Sequence, residues 1–148
     1  MRNKPILDLD QFVPYRLSVL TNRVSSAIAR HYSERFNLSI PEWRVMAALG
    51  QTPGLSARQV AERTAMDKVQ VSRAVQSLLT ARRLRRDTHS QDGRVSQLSL
   101  SPQGLAIYKE LVPVALELER AFLSVLNDQD RRMLDRLLTK LSTAVPKS

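Results

Sequence analysis

The chain has 148 residues, no cysteine, and 23 Lys+Arg against 14 Asp+Glu, for a formal net charge of +9 and a pI near 10.8. That length suits one domain, or one subunit of an oligomer, and the lack of cysteine excludes disulfides, thiolate zinc sites and thiol redox sensing. The basic excess points to a polyanionic partner and is uneven: residues 52–100 hold nine basic and four acidic side chains, residues 101–148 seven and six.

Residues 1–10 read as a polar lead containing Pro5 and two aspartates. From about Phe12, with Pro14 in the first turn, the spacing predicts a long helix to about Phe36, broken by Asn37 and Leu38. Its stripe of Leu17, Leu20, Val24, Ile28 and Tyr32 steps mainly by four, so the helix needs partners to bury it. Ser39, Pro41 and Glu42 start a second helix, which Gly50 and the Pro53-Gly54 pair should stop.

Ser56 and Gln59 form a capping box for a short third helix with Leu55, Val60 and Ala61 facing inward. Thr64, Ala65 and Met66 make a turn, and Asp67 with Gln70 repeats the capping signature for a longer fourth helix. Val71, Val75, Leu78 and Leu79 put one face of that helix against the third. The opposite face carries Lys68, Gln70, Ser72, Arg73 and Gln76. All can hydrogen-bond and none is acidic, which suits base edges and phosphates in a major groove.

A polar hairpin follows, with strand candidates at 84–88 and 95–100 around an Asp92-Gly93 turn. Arg94 sits just beyond that turn, where a guanidinium can enter a minor groove, and Asp92 is placed to hold Arg94 or the local backbone. Arg82, Arg83, Arg85 and Arg86 form a charge run. It either keeps the protein soluble or supplies one or two phosphate contacts, Arg86 among them, and Ser56 at a helix start is a further phosphate candidate.

Ser101-Pro102-Gln103-Gly104 begins a fifth helix, with a kink expected at Pro113. Asn127 caps a sixth, whose Met133, Leu134, Leu137, Leu138 and Leu141 form a leucine-rich stripe. The predicted fold is mainly α with a small β-hairpin wing: a winged helix-turn-helix of about six helices in one domain over 1–148. Residues 55–100 are the DNA-reading part, and the helices at 12–36 and 102–145 form a dimerisation layer. A two-fold dimer would double the contacts over two half-sites.

No segment is long and apolar enough to cross a bilayer and the start of the chain has no signal-peptide core, so the expectation is a cytoplasmic protein without a membrane partner. There is no paired-carboxylate, Ser-His-Asp or Cys-His arrangement, phosphate-binding glycine loop or metal-ligand cluster. The reading therefore expects no enzyme, no cofactor and no metal.

Four stretches, I-P-E-W-R-V-M-A-A-L at 40–49, L-S-A-R-Q-V-A-E-R-T at 55–64, V-S-R-A-V-Q-S-L at 71–78 and D-G-R-V-S-Q-L-S-L-S-P-Q-G at 92–104, together resemble the MarR family of transcription regulators. The last is the most specific: an Asp-x-Arg wing, an alternating strand and a Ser/Thr-Pro-x-Gly helix start, with Ser101 replacing the more usual Thr. The resemblance implies a triangular homodimer on a pseudo-palindromic double-stranded DNA operator, usually as a repressor. It further implies a small effector, often an aromatic acid or phenolic compound, that releases DNA.

By position Arg94 resembles the family's minor-groove arginine, Asp92 its orienting partner, and Lys68, Gln70, Ser72, Arg73 and Gln76 its groove-facing helix. The usual ligand place points to Arg16, Trp43 and Arg44, an arginine beside an aromatic wall being suited to a ring carboxylate. Each has a plainer reading, Trp43 as core, Arg44 as partner of Glu34 or Glu42, and Arg16 as a solvated helix residue. The competing function is a winged-helix module that binds nucleic acid or protein without sequence preference.

Overall fold

A computed structural model describes residues 4–87 and 96–146. Asp92 and Arg94, the predicted wing-tip pair, lie outside the described residues, as do Thr88 and Val95 at the inner strand ends. Among the described residues six helices and two paired strands follow in chain order: α1 (Val13–Phe36), α2 (Ile40–Gln51), α3 (Ala57–Thr64), α4 (Lys68–Thr80), β1 (Leu84–Asp87), β2 (Gln97–Leu100), α5 (Pro102–Leu123) and α6 (Asp128–Ala144), with β1 and β2 forming an antiparallel hairpin. The chain divides into two compact units, residues 1–113 and 114–148.

Local chemistry sets most of the boundaries. Asn37 ends α1 in the left-handed conformation, which a short polar side chain tolerates, and its N–H returns to the Ser33 carbonyl. Ser39 and Glu42 cap α2 reciprocally, Ser56 and Gln59 do the same for α3, and Asn127 and Asp130 for α6. At α4 the capping box expected of Asp67 and Gln70 is only half made: the Asp67 carboxylate takes two of the free amides, Val69 N at 2.6 Å and Gln70 N at 3.3 Å, with no return bond from the Gln70 side chain.

Two expected boundaries move. Gly50 does not stop α2, which runs on to Gln51. A Cβ at Gly50 would stand 2.4 Å from the Tyr108 ring, so the glycine is there to let α5 approach. Thr64, expected in the turn, is the last residue of α3, and its hydroxyl donates back to the Val60 carbonyl. The turn itself rests on Ala65, held at φ 53°.

In the unit spanning 1–113 the core lies where α2, α3, α4 and the hairpin meet. Val45, Met46 and Leu49 of α2, Val60 and Ala61 of α3, Val71, Ala74, Val75 and Leu78 of α4, and Leu84 and Leu98 of the hairpin are all buried. Burial of each Val or Leu contributes about 1.5–3 kcal/mol. The α1 stripe behaves differently along its length. Tyr32 is buried, Val24 and Ile28 half-buried, but Leu17 and Leu20 remain 42% and 47% exposed. Helix α5 runs unbroken through Pro113 to Leu123.

In the unit spanning 114–148, α6 has no buried residue. Met133, Leu137, Leu138 and Leu141 are all exposed along one stripe. No helix among the described residues is long and apolar enough to cross a membrane.

Candidate nucleic-acid interface

The candidate interface is built on α4, whose inner face is packed into the core beneath it. Its buried side chains recur at Val71, Ala74, Val75 and Leu78, the spacing of a helix with one face against α2 and α3. Every predicted groove-facing residue, Lys68, Gln70, Ser72, Arg73 and Gln76, is exposed.

A polar tie fixes the helix from the side. Glu42 accepts the Ser39 backbone N–H through one carboxylate oxygen at 3.1 Å and the Ser77 hydroxyl through the other at 3.1 Å, joining the start of α2 to α4. Between these two helix starts is a cleft of about 550 Å³ lined by Ser39, Glu42, Asp67, Val69, Gln70 and Arg73. Its two carboxylates are both engaged in hydrogen bonds, Glu42 as above and Asp67 as the α4 cap.

Ser56 is half-buried. Its hydroxyl oxygen accepts the Gln59 N–H at 3.1 Å, and that bond leaves the hydroxyl proton for another acceptor. The hairpin is tied to the same frame, because Leu98 pairs with Arg86 in the β1–β2 ladder and donates its N–H to the Leu55 carbonyl at 2.8 Å on the other side. Arg86 is exposed on β1, and so is Arg85.

The charge run divides. Arg83 is half-buried and donates through Nη2 to the Phe36 carbonyl at the end of α1, at 2.6 Å, while its Nε is buried. Its own carbonyl accepts the Ser101 N–H at 3.0 Å, and a Cβ at Gly104 would meet that carbonyl at 2.0 Å. Arg83 therefore links the end of α1, the base of the hairpin and the start of α5. Arg82 is exposed and held at φ 61°, and its carbonyl accepts the Ser101 hydroxyl at 2.7 Å.

Of the three residues singled out for a ligand, the structure brings two together. Trp43 and Arg44 line one cleft of about 380 Å³ with Arg63 and Thr64. The Trp43 ring lies between Tyr32 and Tyr108, with centroid separations of 5.8 and 6.2 Å. Arg44 pairs with neither Glu34 nor Glu42, as the plainer reading had it. Its Nη2 donates to the Ser25 hydroxyl of α1 at 3.2 Å, since Glu42 is taken up by Ser39 and Ser77. Burial raises the Tyr32 phenol above its ordinary range, and the Arg44 cation opposes that shift.

Arg16 lines a separate cleft of about 420 Å³ on the first turns of α1, with Asp10, Tyr15 and Arg23. It sits nine residues before Ser25, about 13 Å along the helix axis. Tyr108, a lesser ligand candidate in the sequence, and Ser25, which was not singled out there, complete the surroundings of Trp43 and Arg44. Neither belongs to a motif, and only chain packing brings them there. Among the described residues no cluster of His, Asp and Glu is arranged to hold a metal ion.

The profile of the MarR family matches residues 36–95, the stretch holding α2 to β1. An uncharacterised HTH-type transcriptional regulator of Bacillus cereus is 28% identical over 130 residues, covering 85% of this chain and 84% of its own. An HTH-type transcriptional repressor of Mycobacterium bovis is 26% identical over 133 residues, 89% of this chain and 92% of its own. Among solved structures, a MarR/EmrR family regulator from Acinetobacter superposes with a TM-score of 0.85 at 24% identity, over 93% of this chain and 97% of that one. BpsR of Bordetella bronchiseptica, whose DNA binding is regulated by 6-hydroxynicotinic acid, superposes with a TM-score of 0.80 at 23% identity, over 93% and 98%.

Proposed function

We propose that this chain, which matches the MarR family over residues 36–95, is a DNA-binding regulator of that family and works in the cytoplasm as a homodimeric, sequence-specific repressor released from a pseudo-palindromic operator by a small aromatic acid or phenol. The observation that carries the reading is the outer face of α4. Lys68, Gln70, Ser72, Arg73 and Gln76 project from a helix whose inner face is locked in the core and whose side is tied by Glu42. A rigid element presenting Arg, Lys and Gln meets the geometric demand of base reading, while Arg86 and Ser56 add phosphate contacts that set register. Arg94 and Asp92, outside the described residues, keep the minor-groove and orienting roles that the family resemblance implies.

Dimerisation is supported by surface that a lone chain leaves wet. The early α1 residues Val13, Leu17 and Leu20 form one apolar stripe, and Met133, Leu137, Leu138 and Leu141 of α6 form another. A second copy that buries both gives the two-fold symmetry a palindromic site requires. Thus 12–36 and 102–145 serve as the dimer layer of one 1–148 domain, and 55–100 as its reading head.

The effector lies against Trp43 and Arg44, where an aromatic wall and a guanidinium meet in one cleft, with Arg16 offering a second cation on α1. The regulation of BpsR by 6-hydroxynicotinic acid supports this chemistry by analogy.

The test is a titration of the purified protein against DNA from just upstream of its own gene and a scrambled duplex, at about physiological salt. A panel of aromatic acids including 6-hydroxynicotinic acid is the competitor. Preference for the upstream duplex of about a thousandfold, lost with one compound, is the expected result. Equal binding to both duplexes that collapses as salt rises would replace this reading with a non-specific winged-helix module.

A further inference from the structure

We propose that Val69 is a specificity-determining residue, seated against the 5-methyl group of a thymine in the major groove. The inference rests on the sequence-specific DNA reading above and adds to it the identity of one base. Val69 is the second residue of α4, and it is 58% exposed. The buried side chains of the helix are Val71, Ala74, Val75 and Leu78. At about 100° per residue, Val69 lies about half a turn from the middle of that stripe, at the centre of the outward face, with Arg73 and Gln76 stacked beyond it.

A valine there adds little to folding. It stands at the rim of the cleft between the starts of α2 and α4, more than half exposed, and a β-branched residue is a poorer helix former than alanine. What it offers is rigidity. Its backbone N–H is held by Asp67 at 2.6 Å, which fixes the first turn, and one χ1 rotamer dominates for valine in a helix. Two methyl groups are therefore presented in a set direction, between cations and amides that favour a nucleic-acid surface. The major groove carries one apolar feature of matching size, the thymine methyl, and adenine–thymine pairs differ there from all others by it. Lys68 and Arg73 on either side disfavour an apolar protein partner at the same spot and suit the adjoining phosphates.

The experiment begins with the full-length protein and duplexes it enriches from a random pool. Each thymine of an enriched duplex is then replaced, one at a time, by deoxyuridine, which removes only the methyl, and Kd is followed by fluorescence anisotropy. For the wild-type chain, deoxyuridine at one thymine in each half-site should weaken binding about fourfold, the value of one buried methyl. Val69→Ala should bind the unmodified duplex more weakly and be indifferent to that replacement. Its salt dependence should be unchanged, because no charge has been removed. Val69→Ile should keep the thymine sensitivity.

The variants keep the fold, since the position is exposed, and a thermal melt verifies it. Wild-type tolerance of deoxyuridine everywhere, or a Val69→Ala chain as sensitive as wild type, overturns the assignment while the regulator reading stands. Failure to enrich any duplex overturns both.

Discussion

Helix α4 and helix α6 carry similar apolar stripes and meet opposite fates. Val71, Ala74, Val75 and Leu78 of α4 are buried within their own unit, whereas Met133, Leu137, Leu138 and Leu141 of α6 all stay exposed. Periodicity says that a helix has a face to bury; it does not say which surface does the burying. The early turns of α1 repeat the lesson within one helix, since Tyr32 is buried while Leu17 and Leu20 are not. The difference separates the stripe that one chain covers by itself from the stripes that the proposed dimer would cover.

The contrast is sharpened most by mutating each stripe in turn. Leu78→Ala, at a side chain with no exposure, should cost about 2–5 kcal/mol, seen as a fall in the midpoint of thermal or urea unfolding that is the same at every protein concentration. Leu137→Glu with Leu141→Glu should behave otherwise. It should abolish the concentration dependence of Tm expected of a dimer and shift sedimentation to the monomer. Operator affinity should fall with it, because two linked half-site contacts become one. A double variant that stays dimeric would break the comparison.

A smaller effect separates the arginines at the base of the hairpin. Arg83→Ala removes the donor to the Phe36 carbonyl and should cost about 1–3 kcal/mol of stability, with a weaker DNA complex whose dependence on salt is unchanged. Arg86→Ala should leave Tm alone and flatten the slope of log K against log salt by about 0.9. Equal salt slopes for the two variants would return Arg83 to the phosphate contacts. Smallest is Arg82→Gly. Relief of a positive φ at a non-glycine residue should stabilise the chain by about 0.5–1 kcal/mol in a thermal melt.

Much of the reading head was legible because its signals are local. Ser56 with Gln59 and Asp67 ahead of α4 start their helices as expected, and the hairpin register brings Leu98 inward as its alternation predicts. The surroundings of Trp43 and Arg44 were not legible in the same way. Arg44 reaches Ser25 nineteen positions away, and Trp43 meets Tyr108 from another helix. Arg83 read as one of four equivalent cations, and only its approach to Phe36, 47 positions earlier, sets it apart. Val69 could have been found from the sequence as the apolar residue out of register on a polar face, though its exposure is what gives that irregularity meaning.

Local patterns in the chain set the order of helices and hairpin, most of their caps, the inward and outward faces of α4, and the concentration of positive charge in the middle of the chain. These depend on the helical repeat and on hydrogen bonds spanning three or four residues, which neighbouring side chains settle among themselves. Long-range packing alone sets Gly50 as a close approach rather than a stop, Gly104 as a close approach within its helix start, Arg83 as a link, and the α6 stripe as uncovered in its own unit. The physical reason is range. A close approach, a half-buried guanidinium or an uncovered stripe is defined by what arrives from far along the chain, and no local pattern encodes that arrival.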